Sequence, residues 1–348
     1  MTPDDVTADW LSNVLGGPVD AFTTQRIGDG HIGMNLRVGL TSSDPSVPES
    51  VVLKMPSPDP TSQSTAAMLR HYEREVKFYL EIADTVDIGV PYCHHGEWTP
   101  DTNDFVLVLE DMSPAVAGDQ VAGCTLDDAR AAVLQLAALH GPRWDDPTLS
   151  DVGWLSRHEG QTSVDQLKVM WQMFFPGFAA TYRGQLTDEM FGLAEAFGDH
   201  IGTWAGERSG PMAVTHGDYR LDNMLFGPPV EAGSPLPRIT VVDWQTPGHG
   251  PPIVDLSYFV GAGLLPEDRR EHEQSLVALY AEGLATYGVA VDDDWLWEQY
   301  RRETFAGLMV AVVASQIVAL NERSEAMFGA MASRHLQHAL DLDTLELL

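Results

Sequence analysis

Lysine is nearly missing from this chain. Only Lys54, Lys77 and Lys168 occur among 348 residues, and all lysines and arginines together number 20 against 51 acidic side chains. The formal charge of −31 is spread along the sequence, with 18 acidic against 6 basic residues up to Met112 and 33 against 14 beyond it. No basic stripe is present to neutralise nucleic-acid phosphates, so a nucleic-acid partner is excluded. The even spread reads as a solvated surface rather than an acidic funnel for a substrate. Cysteine is equally scarce. Cys93 and Cys124 provide neither a disulfide framework nor metal-ligand spacing, and a reducing cytoplasm is the expected setting. No opening stretch joins a basic start to an apolar run and a cleavage site, so no secretory signal is expected. The longest apolar run, Ala306 to Leu320, is broken by Ser315 and Gln316. It is too short to span a bilayer and is expected to form a buried helix, with no membrane span.

What is present is 44% hydrophobic, more than one core usually holds at this length, so two domains are expected. Thr2-Pro3-Asp4-Asp5 combines a capping hydroxyl, a first-turn proline and acids suited to a helix start. Strands are predicted at Phe22 to Ile27, Asn35 to Leu40, Val51 to Met55, Cys93 to Trp98 and Phe105 to Leu109. One major helix, Thr61 to Ala83, is predicted among them, with Met68, Leu69, Tyr72, Val76, Tyr79 and Leu80 on its apolar face. Beyond Met112 the pattern becomes helical: Leu126 to His140, Val164 to Arg183, Asp188 to Ala205, Asp268 to Tyr287, Asp294 to Leu320 and Ser324 to Leu342. Only Ala213 to Trp244 interrupts it, as short strands and loops. The expected fold class is α+β, with a β-rich N-terminal lobe over residues 1–112 and a mainly helical lobe over residues 113–348.

Three features carry chemistry. Gly28-Asp29-Gly30-His31-Ile32-Gly33 has the glycine spacing G-x-G-x-x-G. A dinucleotide fold needs a helix to follow, but Asn35 to Leu40 reads as a strand, so Gly28, Gly30 and Gly33 suit a loop folded over ATP phosphates. Lys54 lies inside the apolar strand Val51 to Met55, where an ammonium needs a charged partner to offset its desolvation. Glu73 and Glu75 on the next helix both qualify, since they flank the apolar stripe on opposite sides. The strongest feature is His216-Gly217-Asp218-Tyr219-Arg220-Leu221-Asp222-Asn223, followed twenty residues later by Asp243 at the end of an apolar strand. Phosphoryl transfer needs a carboxylate to orient the attacking hydroxyl and oxygen ligands to hold Mg2+ against the phosphates. Asp218 suits the first task, and Asn223 and Asp243 the second. Arg220 is a candidate for steadying the charge of the transferring group.

These motifs resemble the aminoglycoside phosphotransferase and choline kinase-like superfamily over nearly the whole chain. Val214 to Asn223 resembles its catalytic loop, and Val241-Val242-Asp243-Trp244-Gln245 its second magnesium site. Val106 to Met112 resembles the hinge between lobes, which implies adenine contacts at Glu110 and Met112. Arg74 to Tyr79 is similar to the family's helix motif, and this favours Glu75 as the partner of Lys54. Asp255, in Pro252 to Phe259, resembles an aspartate that braces the catalytic loop, and His140 a hydrogen-bonded core residue. The resemblance implies a protein-kinase-like fold, ATP as phosphate donor, Mg2+, and a small-molecule hydroxyl substrate. Wording of the loop is close to the acyl-CoA-dehydrogenase-associated branch, and Asp255 to Phe259 to the ecdysteroid-kinase-like branch. The first implies a hydroxyacyl thioester and the second a lipophilic alcohol, so an uncharged or lipophilic alcohol or a hydroxyacyl compound is the expected acceptor. An aminoglycoside acceptor is the alternative, and a nucleotide-binding pseudokinase is the alternative of another class. Trp295, Trp297, Tyr300, Phe305 and Met309 are candidates to line an acceptor pocket, though helix packing suits each of them as well.

Overall fold

The computed structural model describes residues 1–28, 32–155, 161–206, 208, 210–229, 233–318 and 320–348. The chain divides into two compact units, the first comprising Met1–Thr85, Gly89–Pro114 and Thr240–Thr246. Chain order assigned that last segment to the second lobe; the structure gathers it into the first.

In the first unit, helix α1 (Ala8–Leu15) starts at Thr7, whose hydroxyl accepts from the Trp10 N–H, and stops at Gly16 with φ 73°. The start expected at Thr2 forms only a short 3-10 turn, Pro3–Asp5, and the α-helix proper is capped later, at Thr7, ending in a left-handed C-cap. Strands β1 (Ala21–Ile27), β2 (Gly33–Thr41), β3 (Ser50–Pro56), β4 (Cys93–Thr99) and β5 (Asp104–Glu110) form one antiparallel sheet in the order β1-β2-β3-β5-β4. Because β2 pairs directly with β1, Ile27 facing Asn35, the glycine segment joins two strands rather than a strand and a helix. Phe105 through Leu109 are all buried. Val106 and Val108 join Val38, Val51 and Leu53 in the core on one face, while Tyr72 stacks on Phe105 at 4.3 Å on the other. Burial on both faces explains why β5 reads as an unbroken apolar run.

The helix predicted over Thr61 to Ala83 is two helices, α2 (Pro60–Leu69) and α3 (His71–Lys77), extended by a π-turn at Phe78–Ile82. They break at Arg70, which takes the left-handed conformation at φ 58°. The break shifts the helical phase. Tyr72, Val76 and Tyr79 are buried as expected, but Met68 is 77% exposed, and Leu69 and Leu80 also face outward.

In the second unit, helices α4 (Leu126–His140), α5 (Gln161–Tyr182), α6 (Asp188–Gly206), α7 (Ile253–Gly263), α8 (Pro266–Ala285), α9 (Asp293–Arg302), α10 (Phe305–Ile317) and α11 (Glu322–Asp341) dominate. Short strands β6 (Val116–Ala117), β7 (Ala213–Thr215), β8 (Met224–Gly227) and β10 (Gly248–Gly250) accompany them, while β9 (Arg238–Val241) begins in this unit and ends in the first; β7 pairs with β10, and β8 with β6. The single helix expected over Asp294 to Leu320 is broken between α9 and α10, where Glu303 is buried against Arg208 and the Thr304 hydroxyl meets that of Thr344 at 2.9 Å. Apolar α10 is the buried helix its sequence predicts, packed on α5, α7 and α11. Among the described residues no helix is long and apolar enough to cross a membrane.

Candidate active site

In the first unit, β3 delivers Lys54 to a cluster of two carboxylates. Its ammonium lies 2.6 Å from Glu75 Oε1 and 2.8 Å from Asp243 Oδ1. Periodicity left Glu73 and Glu75 both open. The structure decides for Glu75, because Glu73 turns the other way to bind Arg70 and Lys77. Room for the Lys54 stem comes from Gly33 on the neighbouring strand, where a Cβ would stand 3.4 Å from Lys54 Cε and 3.3 Å from the Met55 carbonyl. Burial works against the Lys54 charge, but Asp243 and then Glu75 outweigh it and hold the ammonium above its usual range. Glu75 is 1% exposed, and burial together with the charge of Asp243 pushes its carboxyl up despite the attraction of Lys54. Two acids thus share one cation, which leaves the cluster short of positive charge.

Asp243 has φ 67°, a conformation that side chains other than glycine adopt rarely and at a cost. The surroundings enforce it. Next to it Trp244 stacks on Phe78 at 3.6 Å, its indole N–H bonded to the Val241 carbonyl, and Gln245 donates to Glu75. The carboxylate itself is 34% exposed. Gly28 takes φ 68° before β2, whereas Gly30 lies outside the described residues. At the end of β5, Glu110 is exposed and its N–H is taken by the Tyr92 carbonyl. The Met112 N–H has no hydrogen-bond partner among the described residues, since Arg37, Ser50 and the Ser113 N–H occupy the intervening Asp111 side chain.

In the second unit, the loop from His216 to Asn223 folds around Asp218. The Asp218 carboxylate accepts from Asn223 Nδ2 at 3.0 Å, from the Tyr258 hydroxyl at 2.7 Å, and from Arg220 Nε, which reaches both oxygens at 3.1 and 3.2 Å. Asn223 Nδ2 also binds the Asp218 carbonyl at 2.9 Å. That pairing commits the amide nitrogen and leaves the amide oxygen for other work. Arg220 does not point away to an open surface: its guanidinium bridges Asp218 and Asp222 and touches Met327 Sδ at 3.2 Å.

The loop is held from beneath by Asp255 on α7. Its carboxylate accepts from the His216 N–H at 2.7 Å and the Gly217 N–H at 3.0 Å, where Gly217 has φ 77°. Burial opposes the charge of Asp255, but His140 and the His216 N–H outweigh it and hold the carboxyl below its usual range. His140 is itself buried and bonds the Tyr280 hydroxyl at 2.7 Å, as expected of a core residue.

Two supports escaped the sequence reading. Gln120 receives the Leu221 N–H on its side chain, and buried Arg334 bonds the carbonyls of Gln120, Val121 and Ala262. Tyr258 lies three residues past Asp255, a spacing that places both on one face of α7 and was the available signal. Of the candidates for an acceptor pocket, Tyr300, Phe305 and Met309 are buried, whereas Trp295 and Trp297 are part-buried. Phe305 stacks on Phe197 at 4.2 Å, Tyr300 is buried with its hydroxyl toward Glu273, and Trp297 stacks on Tyr300 at 5.3 Å.

Comparison with known proteins assigns this arrangement a lineage. The sequence model of the ecdysteroid kinase-like family matches residues 28–289, well over half of the chain. No curated protein matches the sequence. Among solved structures the chain is similar to the choline kinase of Cryptosporidium parvum Iowa II, with a TM-score of 0.58 and 9% identity over 98% of this chain and 91% of that one. It is also similar to the ethanolamine kinase of Plasmodium vivax, with a TM-score of 0.55 and 13% identity over 91% and 82%. A third likeness is to the ternary complex of streptomycin, ATP and APH(2")-IIa, with a TM-score of 0.51 and 12% identity over 90% and 94%. At such identities the likeness speaks for the fold alone: a two-lobed α+β, protein-kinase-like fold.

Proposed function

We propose, since the chain belongs to the ecdysteroid kinase-like family, that it transfers the γ-phosphoryl group of ATP to a hydroxyl of a small molecule. The observation that carries the proposal is the Asp218 carboxylate, held by three donors on a loop whose backbone is itself bound by buried Asp255. Such preorganisation is what phosphoryl transfer demands, because its loose transition state needs positioning and charge stabilisation more than covalent help.

In this reading the acceptor hydroxyl donates to Asp218, which orients it and receives its proton as the bond to phosphorus forms. Lys54 neutralises the α- and β-phosphates, and Glu75 keeps the ammonium directed. Gly28, Gly30 and Gly33 cover the phosphates, while the Glu110–Met112 segment meets adenine, the Met112 N–H being a ready donor. The donor set fits Mg2+: Asn223 offers an amide oxygen and Asp243 a partly exposed carboxylate, both hard oxygen ligands. When bound, the ion would supply positive charge to offset that of the phosphates. Among the described residues no group of three or more His, Cys, Asp and Glu side chains forms a metal cage, and magnesium in such sites relies on one or two carboxylates plus phosphate oxygens. Arg220 fits best as a clamp on Asp218 and Asp222.

An uncharged or lipophilic acceptor is favoured by local charge. Asp222, the acid nearest the base in the loop, is already neutralised by Arg220 at 2.6 Å and Arg323 at 2.8 Å, which leaves little to attract a polycation. The test is an ATP-consumption screen over sterols, hydroxyacyl thioesters, amino alcohols and aminoglycosides, run with the wild type and Asp218→Ala. Turnover with a neutral alcohol, abolished in the variant while MgATP still binds, is the expected result. Wild-type activity in Asp218→Ala would sink the assignment. MgATP binding with no turnover on any acceptor would favour a pseudokinase.

A further inference from the structure

We propose that Tyr258 is a positioning residue for Asp218, fixing the direction in which that carboxylate meets the acceptor hydroxyl; the role rests on the phosphotransferase reading above.

The anchors of the Asp218 carboxylate differ in kind. Asn223 and Arg220 belong to the same loop as Asp218, so they move with it. Among the described residues Tyr258 is the one donor that reaches the carboxylate from outside the loop, at 2.7 Å on Oδ1. It comes from α7, the helix whose Asp255 binds the loop backbone one turn earlier. One rigid helix face therefore sets both the height of the loop and the rotation of its carboxylate. A carboxylate accepts about four hydrogen bonds. With Tyr258 on one oxygen, Asn223 on the other and Arg220 shared between them, an incoming hydroxyl meets a nearly fixed direction.

Tyr258 is fixed in turn. It is 4% exposed, and its ring lies parallel to that of His335 on α11, with centroids 5.5 Å apart and planes 6° apart. His335 sits in a slot made by missing side chains: a Cβ on Gly307 would fall 1.9 Å from its Nε2, and one on Gly261 2.9 Å from its Nδ1. Both ring nitrogens are buried with no hydrogen-bond partner. A buried imidazole left unsatisfied costs free energy, so its retention asks for a reason. The flat support it gives the Tyr258 ring supplies one.

Tyr258→Phe separates the hydroxyl from the packing, because the ring and its stack on His335 remain. The assay measures ADP release from MgATP, with water and then with each alcohol of the acceptor panel. The expected result is a fall in kcat of roughly 10- to 100-fold, with KM for ATP within about twofold and Tm unchanged. Calorimetric binding of MgADP should match the wild type. A variant with wild-type kcat would overturn the positioning role, as would a loss confined to KM or one that merely tracks a lowered Tm. In Tyr258→Leu, which also removes the ring, a kcat close to wild type would overturn it again. If the wild type releases no ADP with water or any alcohol, the phosphotransferase reading fails and the role of Tyr258 falls with it. An active wild type with an equally active Tyr258→Phe removes only the inference about Tyr258.

Discussion

A single buried ammonium between two carboxylates is an expensive arrangement, and Lys54 shows what holds it in place. Removing one partner of a buried pair typically costs about 3–5 kcal/mol, because the remaining charge loses its compensation. Lys54→Met should therefore lower stability and abolish transfer, leaving Glu75 buried beside Asp243 with no cation. Adding Glu75→Gln should restore much of the Tm but none of the activity, since the phosphates still lack their lysine. Thermal melts and ATP turnover on the two variants check this, and a double variant no more stable than the single one would contradict it. Asp243→Ala should weaken magnesium-dependent nucleotide binding about 10-fold or more while sparing the weaker binding expected in EDTA. Titrations with and without magnesium separate the two, and equal losses in both would argue against a metal role. Asp218 and Asn223 stood out from type and spacing because the roles proposed for them suit few side chains. Tyr258 was not, since an aromatic residue on an apolar helix reads as core.

At the scale of elements, α7 is the brace of the motif loop. Asp255→Ala would strand two N–H groups, the buried one of His216 and the part-buried one of Gly217. At about 1–3 kcal/mol for each unsatisfied group, the loss should be about 2–6 kcal/mol. Chemical denaturation should show that loss, and kcat should fall further than KM for ATP rises. A variant of normal stability and rate would remove the bracing role. The helix before it in function, α3, shows the limit of periodicity. Six apolar residues at helical spacing predicted one face, yet Arg70 adopts a left-handed conformation that nothing in its chemistry announces. The break changes the phase by more than any pattern-matching tolerates, and the two halves bury different sets. Similarly, α9 and α10 read as one helix until Glu303 and Thr304 find partners remote in sequence.

For the whole molecule, a buried histidine contributes to the loss of stability in acid. Burial, aided by the nearby charges of His338, Arg334 and Arg269, pushes His335 down from the usual 6.5 to about 3. Its folded form thus stays neutral where the unfolded chain binds a proton. The stabilisation is complete above pH 6.5 and is lost progressively as pH falls through 6.5 toward 3. Relative to His335→Gln, the wild type should lose about 2 kcal/mol of stability between pH 7.5 and pH 5. Denaturant melts of both proteins at each pH measure this, and parallel pH profiles would refute it. The difference between proteins is the readout, since a net charge of −31 gives both the same background of self-repulsion. By itself the sequence placed most of the elements, though not the breaks at Arg70 and Glu303, and supplied the motifs on which the proposed reaction class rests: strand alternation, apolar runs and the spacing from His216 through Asn223 to Asp243 are local properties. The resemblance of Arg74 to Tyr79 already favoured Glu75 over Glu73, which periodicity could not; only the tertiary structure set Asp243 beside Lys54 within the first unit, turned Arg220 onto two carboxylates and gave Asp218 a tyrosine donor. Those choices depend on distances between residues far apart in the chain, and a periodic pattern records which face is buried but not what it is buried against.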